Sequence, residues 1–295
     1  MKHISSIFKL RTLVLTSALC VPGFVLAQAA YPTPEAAADA LIQAVLASDD
    51  AAFAQVLGKQ WRTLIPKDTN PDDRKAFLEK ARDLHTVAVD GNHADLVVGK
   101  DQWHFPIPMH RTSNGKWSFD ISGGQAALQE RRIGANELSA MQAILAYVDA
   151  QYEYGQVDRN GDGIPEYARR FVSRKGKRDG LIWSPSLGDE SPLGERFIPT
   201  KSGSGYHGYN FKILEAQGPK ARAGARDYVI GNRLLSGYAA IAWPVKYGQT
   251  GVMTFIVNQD GVVYERNLGA DTQKLASAIK AFNPDENWKQ PKPKP

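Results

Sequence analysis

The sequence predicts an α+β protein built as two folding units. Apolar residues first recur at helical spacing, and from His85 they alternate with period two. A long amphipathic helix then occupies the middle of the chain and feeds a second group of strands rich in β-branched and aromatic residues. Helices then strands, followed by a helix then strands, is the order of two α+β units rather than of one alternating parallel sheet. A chain of 295 residues has length enough for both.

Residues 1–29 read as a targeting segment. Lys2, Lys9 and Arg11 form a basic start, and Leu13 to Leu26 is apolar but short of the ~20 residues that span a bilayer. Ala27-Gln28-Ala29 has the small-x-small pattern of a cleavage site. Leu19 ahead of Cys20 argues against a lipoprotein signal, and Gln28 stands where a prepilin signal needs glutamate. The expectation is a protein exported to the periplasm, with no transmembrane segment after cleavage. Cleavage removes the single cysteine, Cys20, and with it any thiol or disulfide chemistry. It also takes the formal charge from +5 to +2, too little to argue for nucleic acid as a partner. The basic run from Arg169 to Arg178 holds only Phe171 as an aromatic and reads as a solvated face.

In the first unit, residues 30–125, Thr33 caps a helix with Pro34 at its first position, and Ala37, Leu41 and Val45 mark its inner face. Ser48 or Asp49 starts a second helix, which Gly58 ends. Asn70-Pro71 opens a third, running to Leu84. Strands are expected at His85–Val89, Ala94–Val98, Gln102–Met109 and Lys116–Ile121, with turns at Asp90-Gly91-Asn92, Gly99-Lys100-Asp101 and Ser113-Asn114-Gly115. This order of helices followed by an antiparallel meander resembles the cone-shaped domain of nuclear transport factor 2.

The second unit, residues 126–285, opens on the long helix. Leu138, Met141, Leu145, Val148 and Tyr152 step by three and four, which predicts an apolar seam packed on the sheet. Pro165–Val172 predicts a short helix, and residues 173–208, rich in Gly, Pro, Ser and charge, a long ordered loop or lid. Gly208–Leu214, Gly237–Tyr247, Val252–Asn258 and Val262–Leu268 predict an antiparallel sheet of three or four strands, with Asp260-Gly261 as a hairpin. Pro244 places its strand at an edge or a bulge. Leu275, Ala278, Ile279 and Phe282 suggest a closing helix, and the tail 286–295 predicts disorder.

The motif richest in chemistry follows the long helix. Asp158, Asn160 and Asp162 stand at alternate positions, Gly163 permits a tight turn, Ile164 offers its carbonyl and Glu166 a further carboxylate. Calcium takes about six to eight hard oxygens arranged in this way, so these five residues are the candidate ligands of a structural Ca2+. The glutamate that closes an EF-hand is replaced by Arg169, so another carboxylate or water would have to complete the shell. The alternative is an Asx turn that binds only its own backbone.

No residue pattern assigns a nucleophile. Ser202, Ser204 and His207 lie in a glycine-rich loop without the strand-to-helix context of a nucleophile elbow. His104 and His110 stand ~20 Å apart along one strand, too far to share a metal.

Several stretches together resemble the bacterial exported family of domain of unknown function 2950. They are Arg132-Ile133-Gly134-Ala135-Asn136-Glu137-Leu138, Tyr147-Val148-Asp149-Ala150-Gln151, Glu166-Tyr167-Ala168, Asp179-Gly180-Leu181-Ile182-Trp183, Glu190-Ser191-Pro192-Leu193-Gly194 and Gly208-Tyr209-Asn210-Phe211. The resemblance implies a secreted protein and supplies no reaction. The long helix, the variable loop, Trp243-Pro244, Tyr247-Gly248, Gly251 and the stretch from Phe255 to Val263 also resemble the globular domain of type II secretion pseudopilins, some of which hold calcium after the helix. The expected function is a non-catalytic binding or adaptor protein for an envelope partner. The alternative is a periplasmic hydrolase of envelope material, with its site under the 173–208 loop near Asp149, Asp162, Asp189 or His207.

Overall fold

The computed structural model describes residues 28–65, 70–194, 197 and 203–292. Almost all of the predicted targeting segment, Cys20 included, lies outside these residues, as does part of the 173–208 loop. The chain divides into two compact units at Ile121/Ser122, so the boundary falls at the start of the long helix rather than at residue 125.

The first unit is α+β. α1 (Pro34–Ala47) begins where Thr33 accepts a hydrogen bond from the Ala36 amide at 3.2 Å. α2 (Asp50–Leu57) is capped by Asp49 and ends at Gly58, whose φ of +90° favours glycine. α3 (Pro71–Asp83) is capped by Asn70. Five strands follow: β1 (His85–Asp90), β2 (His93–Val98), β3 (Trp103–His104), β4 (Met109–Arg111) and β5 (Trp117–Phe119). They form an antiparallel sheet of order β1-β2-β4-β5, with β3 paired to β2. The predicted strand Gln102–Met109 is therefore broken, because Pro106 and Pro108 lack the N–H a ladder needs. Leu41, Leu57, Leu96, Val98, Ile107, Met109 and Phe119 fill the core between helices and sheet.

The second unit opens with α4 (Ile121–Tyr154), 34 residues and about 51 Å long. Its sheet has order β13-β12-β11-β6, all antiparallel: β6 (Tyr209–Leu214), β11 (Ala239–Pro244), β12 (Met253–Asn258) and β13 (Tyr264–Asn267). Two small ladders lie between β6 and β11: β7 (Ala216–Gln217) with β8 (Arg226–Asp227), and β9 (Val229–Ile230) with β10 (Arg233–Leu234). α5 (Thr272–Ala278) packs on β11, which is buried along its whole length. Pro244 sits at the last position of this central strand, where the ladder ends, so it marks neither an edge nor a bulge.

The inner face of α4 differs from the predicted seam. Glu137, Ala140, Ile144, Tyr147, Gln151 and Tyr154 are buried, whereas Leu138, Leu145 and Tyr152 are 53%, 41% and 65% exposed. Met141 and Val148 reach the core only in part. The helix is turned by one residue, about 100°, from the apolar stripe. Two buried polar side chains hold that rotation. Glu137 accepts the Val252 and Met253 amides at 3.0 and 3.1 Å. Gln151 takes both backbone groups of Ala168, donating to its carbonyl at 2.7 Å and accepting its amide at 2.8 Å. Tyr147 donates to the Ala239 carbonyl at 3.0 Å, and burial pushes its phenol far above the usual range.

Two further expectations are corrected. Pro165–Val172 is no helix: Tyr167 pairs with Leu234 and Val172 with Ile182. The tail is ordered beyond residue 286, since Trp288 is buried and Lys289 exchanges both backbone hydrogen bonds with Glu265, at 2.7 and 3.0 Å.

Candidate functional site

At the exit of α4 a side chain has no room on residue 155: a Cβ on Gly155 would lie 2.8 Å from the Tyr167 ring. The chain then turns through Asp158–Glu166. Asp158 organises the turn by accepting the amides of Gly163 at 2.7 Å, Gly161 at 2.8 Å and Asn160 at 3.3 Å. These amides, Gly163 foremost, hold its carboxyl below the usual range. Asn160 accepts the Asp162 amide at 3.1 Å, and Asp162 the Ile164 amide at 3.0 Å. Gly163, at φ +84°, supplies the left-handed backbone the turn requires.

The other oxygens meet a cation from the chain itself. Arg233 donates through Nε to Glu166 at 2.8 Å, through Nη1 to Asp162 at 2.7 Å and through Nη2 to the Ile164 carbonyl at 2.6 Å. Three of the five candidate calcium ligands therefore converge on one guanidinium, while Asp158 and Asn160 bind backbone amides. Calcium at Asp162, Ile164 and Glu166 requires Arg233 to leave. Among the described residues, no group of three or more His, Cys, Asp or Glu is placed to hold a metal ion.

Arg169, the residue that departs from the EF-hand pattern, completes the arrangement. It donates to Glu215 at 2.7 and 2.8 Å, and to the carbonyl and side-chain oxygen of Asn232 at 2.9 and 2.7 Å. Asn232 and Arg233 arrive together on the β9–β10 hairpin. Gly231 and Asn232 have φ of +57° and +68°, as a type I′ turn needs at both central positions. The loop sends Arg169 to the hairpin and the hairpin sends Arg233 to the loop, so the α4 exit is tied to β10 from both sides. Sequence reasoning missed Arg233; the Gly231-Asn232 pair was the available signal.

No contact among the four residues expected near a hydrolytic site is seen within the described residues. Asp162 is on Arg233, Asp189 pairs with Arg178 at 2.8 Å, and His207 packs edge-on to Tyr206 at 4.4 Å. Asp149 lies on the exposed side of α4.

Fold and site together define a two-unit α+β protein with an arginine-closed loop at the end of a long helix. A family profile described as protein of unknown function (DUF2950) matches residues 28–290, and the chain belongs to that family. No curated protein and no solved structure matches the chain.

Proposed function

We propose that the chain is a non-catalytic adaptor of the periplasm, whose second unit docks an envelope protein through the outer side of α4. One observation carries this reading: Leu138, Leu145 and Tyr152 are largely exposed on a helix whose inner face is already filled. Water contact with apolar surface costs roughly 25 cal/mol per Å2, and exposed apolar side chains recurring along one side of a helix support a contact surface there. The basic start, short apolar run and cleavage pattern of residues 1–29 support the compartment. The helices-then-meander order and the helix-on-sheet arrangement support the likenesses to a cone-shaped transport-factor domain and to a pseudopilin globular domain. Arg233 supports a structural role for the loop, which stiffens the end of the docking helix. In this reading calcium is a competitor for oxygens that the guanidinium holds.

Photo-crosslinking in intact cells tests the docking surface. A Leu145→benzoylphenylalanine chain should yield one discrete adduct, and Leu138→Ser with Tyr152→Ser should abolish it. Recovery of only unmodified monomer from the first chain refutes the proposal.

A further inference from the structure

A cavity of about 480 Å3 opens in the N-terminal unit, within the size range of small-molecule sites. Five of its lining residues are aromatic. Phe53 and Trp61 stack with ring centroids 4.6 Å apart, and both are buried. Phe77, Trp103 and Phe105 form a second group, with centroids 5.7 to 6.4 Å apart. Such faces hold a planar ring by offset or edge contacts.

The charged side chains lining the cavity differ in how well each is compensated. Asp50 is ion-paired with Arg62, whose guanidinium also lies 3.9 Å from the Trp61 ring centroid. Asp73 stands in the first turn of α3, where the helix dipole favours a negative charge. Arg74 donates to the neutral hydroxyl of Ser48, and among the described residues no carboxylate pairs with it. Among the described residues, Arg74 is therefore a lining cation without a carboxylate partner, beside an apolar space.

We infer that this cavity binds a small amphiphilic anion. A ring-bearing apolar body lies among the aromatic side chains, and a carboxylate, sulfonate or phosphate head takes Arg74 and the Ser48 hydroxyl. A cationic ligand would bring a second positive charge to Arg74. A neutral apolar ligand would leave the guanidinium without an anion. The inference is independent of the adaptor reading, since no residue of α4 lines the cavity.

Two dyes with the same rings provide the test. 1-Anilinonaphthalene-8-sulfonate has the anionic head, and N-phenyl-1-naphthylamine lacks it. With the full exported chain, the sulfonate should bind saturably at one site and more tightly than the neutral dye. Arg74→Gln should weaken the sulfonate at least about tenfold and the neutral dye less than about twofold, because a hydrogen bond to a charged group is lost only for the former. Arg74 is exposed, so this variant should keep its melting temperature. Trp103→Ala, at a residue 39% exposed, should weaken both dyes. Equal affinity of the two dyes for the natural chain, an unchanged sulfonate affinity in Arg74→Gln, or no saturable binding of either dye would overturn the inference.

Discussion

Replacing Arg233 with alanine should lower the melting temperature of the second unit by about 5–10 °C. The guanidinium makes three charge-assisted contacts, to Glu166, Asp162 and the Ile164 carbonyl, at 2.8, 2.7 and 2.6 Å. Its side chain is 21% exposed, against 44% for Asp162 and 29% for Glu166, so solvent screens the pairs in part. Three such bonds at the low end of the usual range, roughly halved for that screening, account for the expected shift. In a unit this size each ~1 kcal/mol moves the midpoint by about 2–4 °C. The variant also leaves two carboxylates and a carbonyl facing one another, a set of hard oxygens that suits calcium. Calorimetry on both chains, each in excess calcium and in chelator, separates the two consequences. Calcium should raise the midpoint of Arg233→Ala and leave the natural chain nearly unmoved, because there the ion must first displace the guanidinium. A variant that melts with the natural chain in chelator refutes the clamp. An equal calcium response in both chains refutes the competition.

Three further substitutions test the second unit. Gln151→Leu strands both the amide and the carbonyl of Ala168 in the core and should cost about 2–4 kcal/mol, read as a lower urea midpoint; an unchanged midpoint removes Gln151 as the determinant of helix rotation. Gly251→Ala places a Cβ 2.1 Å from the hydroxyl of buried Tyr209, which donates to the Met253 carbonyl, and should cost about 1–3 kcal/mol in the same assay; a neutral result shows that the segment ahead of β12 yields freely there. Asp158 has a folded-state carboxyl held below its unfolded value of 3.8, so its contribution is complete above that pH and is lost as pH falls through the lower folded value. Asp158→Asn should therefore flatten the acid limb of the stability profile below pH 3.8 without steepening it above, and an unaltered limb dismisses the Gly163, Gly161 and Asn160 amides as its origin.

Much of the secondary structure is legible because local chemistry determines it. Thr33, Asp49 and Asn70 cap the helices that their positions imply, and the Asp260-Gly261 turn joins β12 to β13. Legibility fails where a partner distant in sequence decides. Pro165–Val172 has helix-compatible residues, yet Tyr167 and Val172 pair with Leu234 and Ile182. The Lys-Pro composition of the tail hides Trp288, whose burial carries order past residue 286.

The rotation of α4 and the closure of its exit loop escape the sequence for the same reason. An apolar pattern assigns a buried face by counting hydrophobic residues, so it passes over Glu137 and Gln151. Each of those is buried only because a particular pair of backbone groups awaits it: the Val252 and Met253 amides for one, the two peptide groups of Ala168 for the other. The real face is polar at Glu137 and Gln151 among its nine buried positions, and Leu138, Leu145 and Tyr152 of the apolar stripe beside it are left to solvent. The loop repeats this logic with charge. Asp158 to Glu166 contains the oxygens of a cation site, and nothing nearby in sequence says which cation fills it. The filling residue is Arg233, 67 positions beyond Glu166, and a type I′ turn at Gly231-Asn232 delivers it. A carboxylate-rich loop and a distant arginine satisfy one another as a carboxylate-rich loop and a metal ion do. Their distinguishing mark is therefore the hairpin that brings the arginine, not the spacing of the acids.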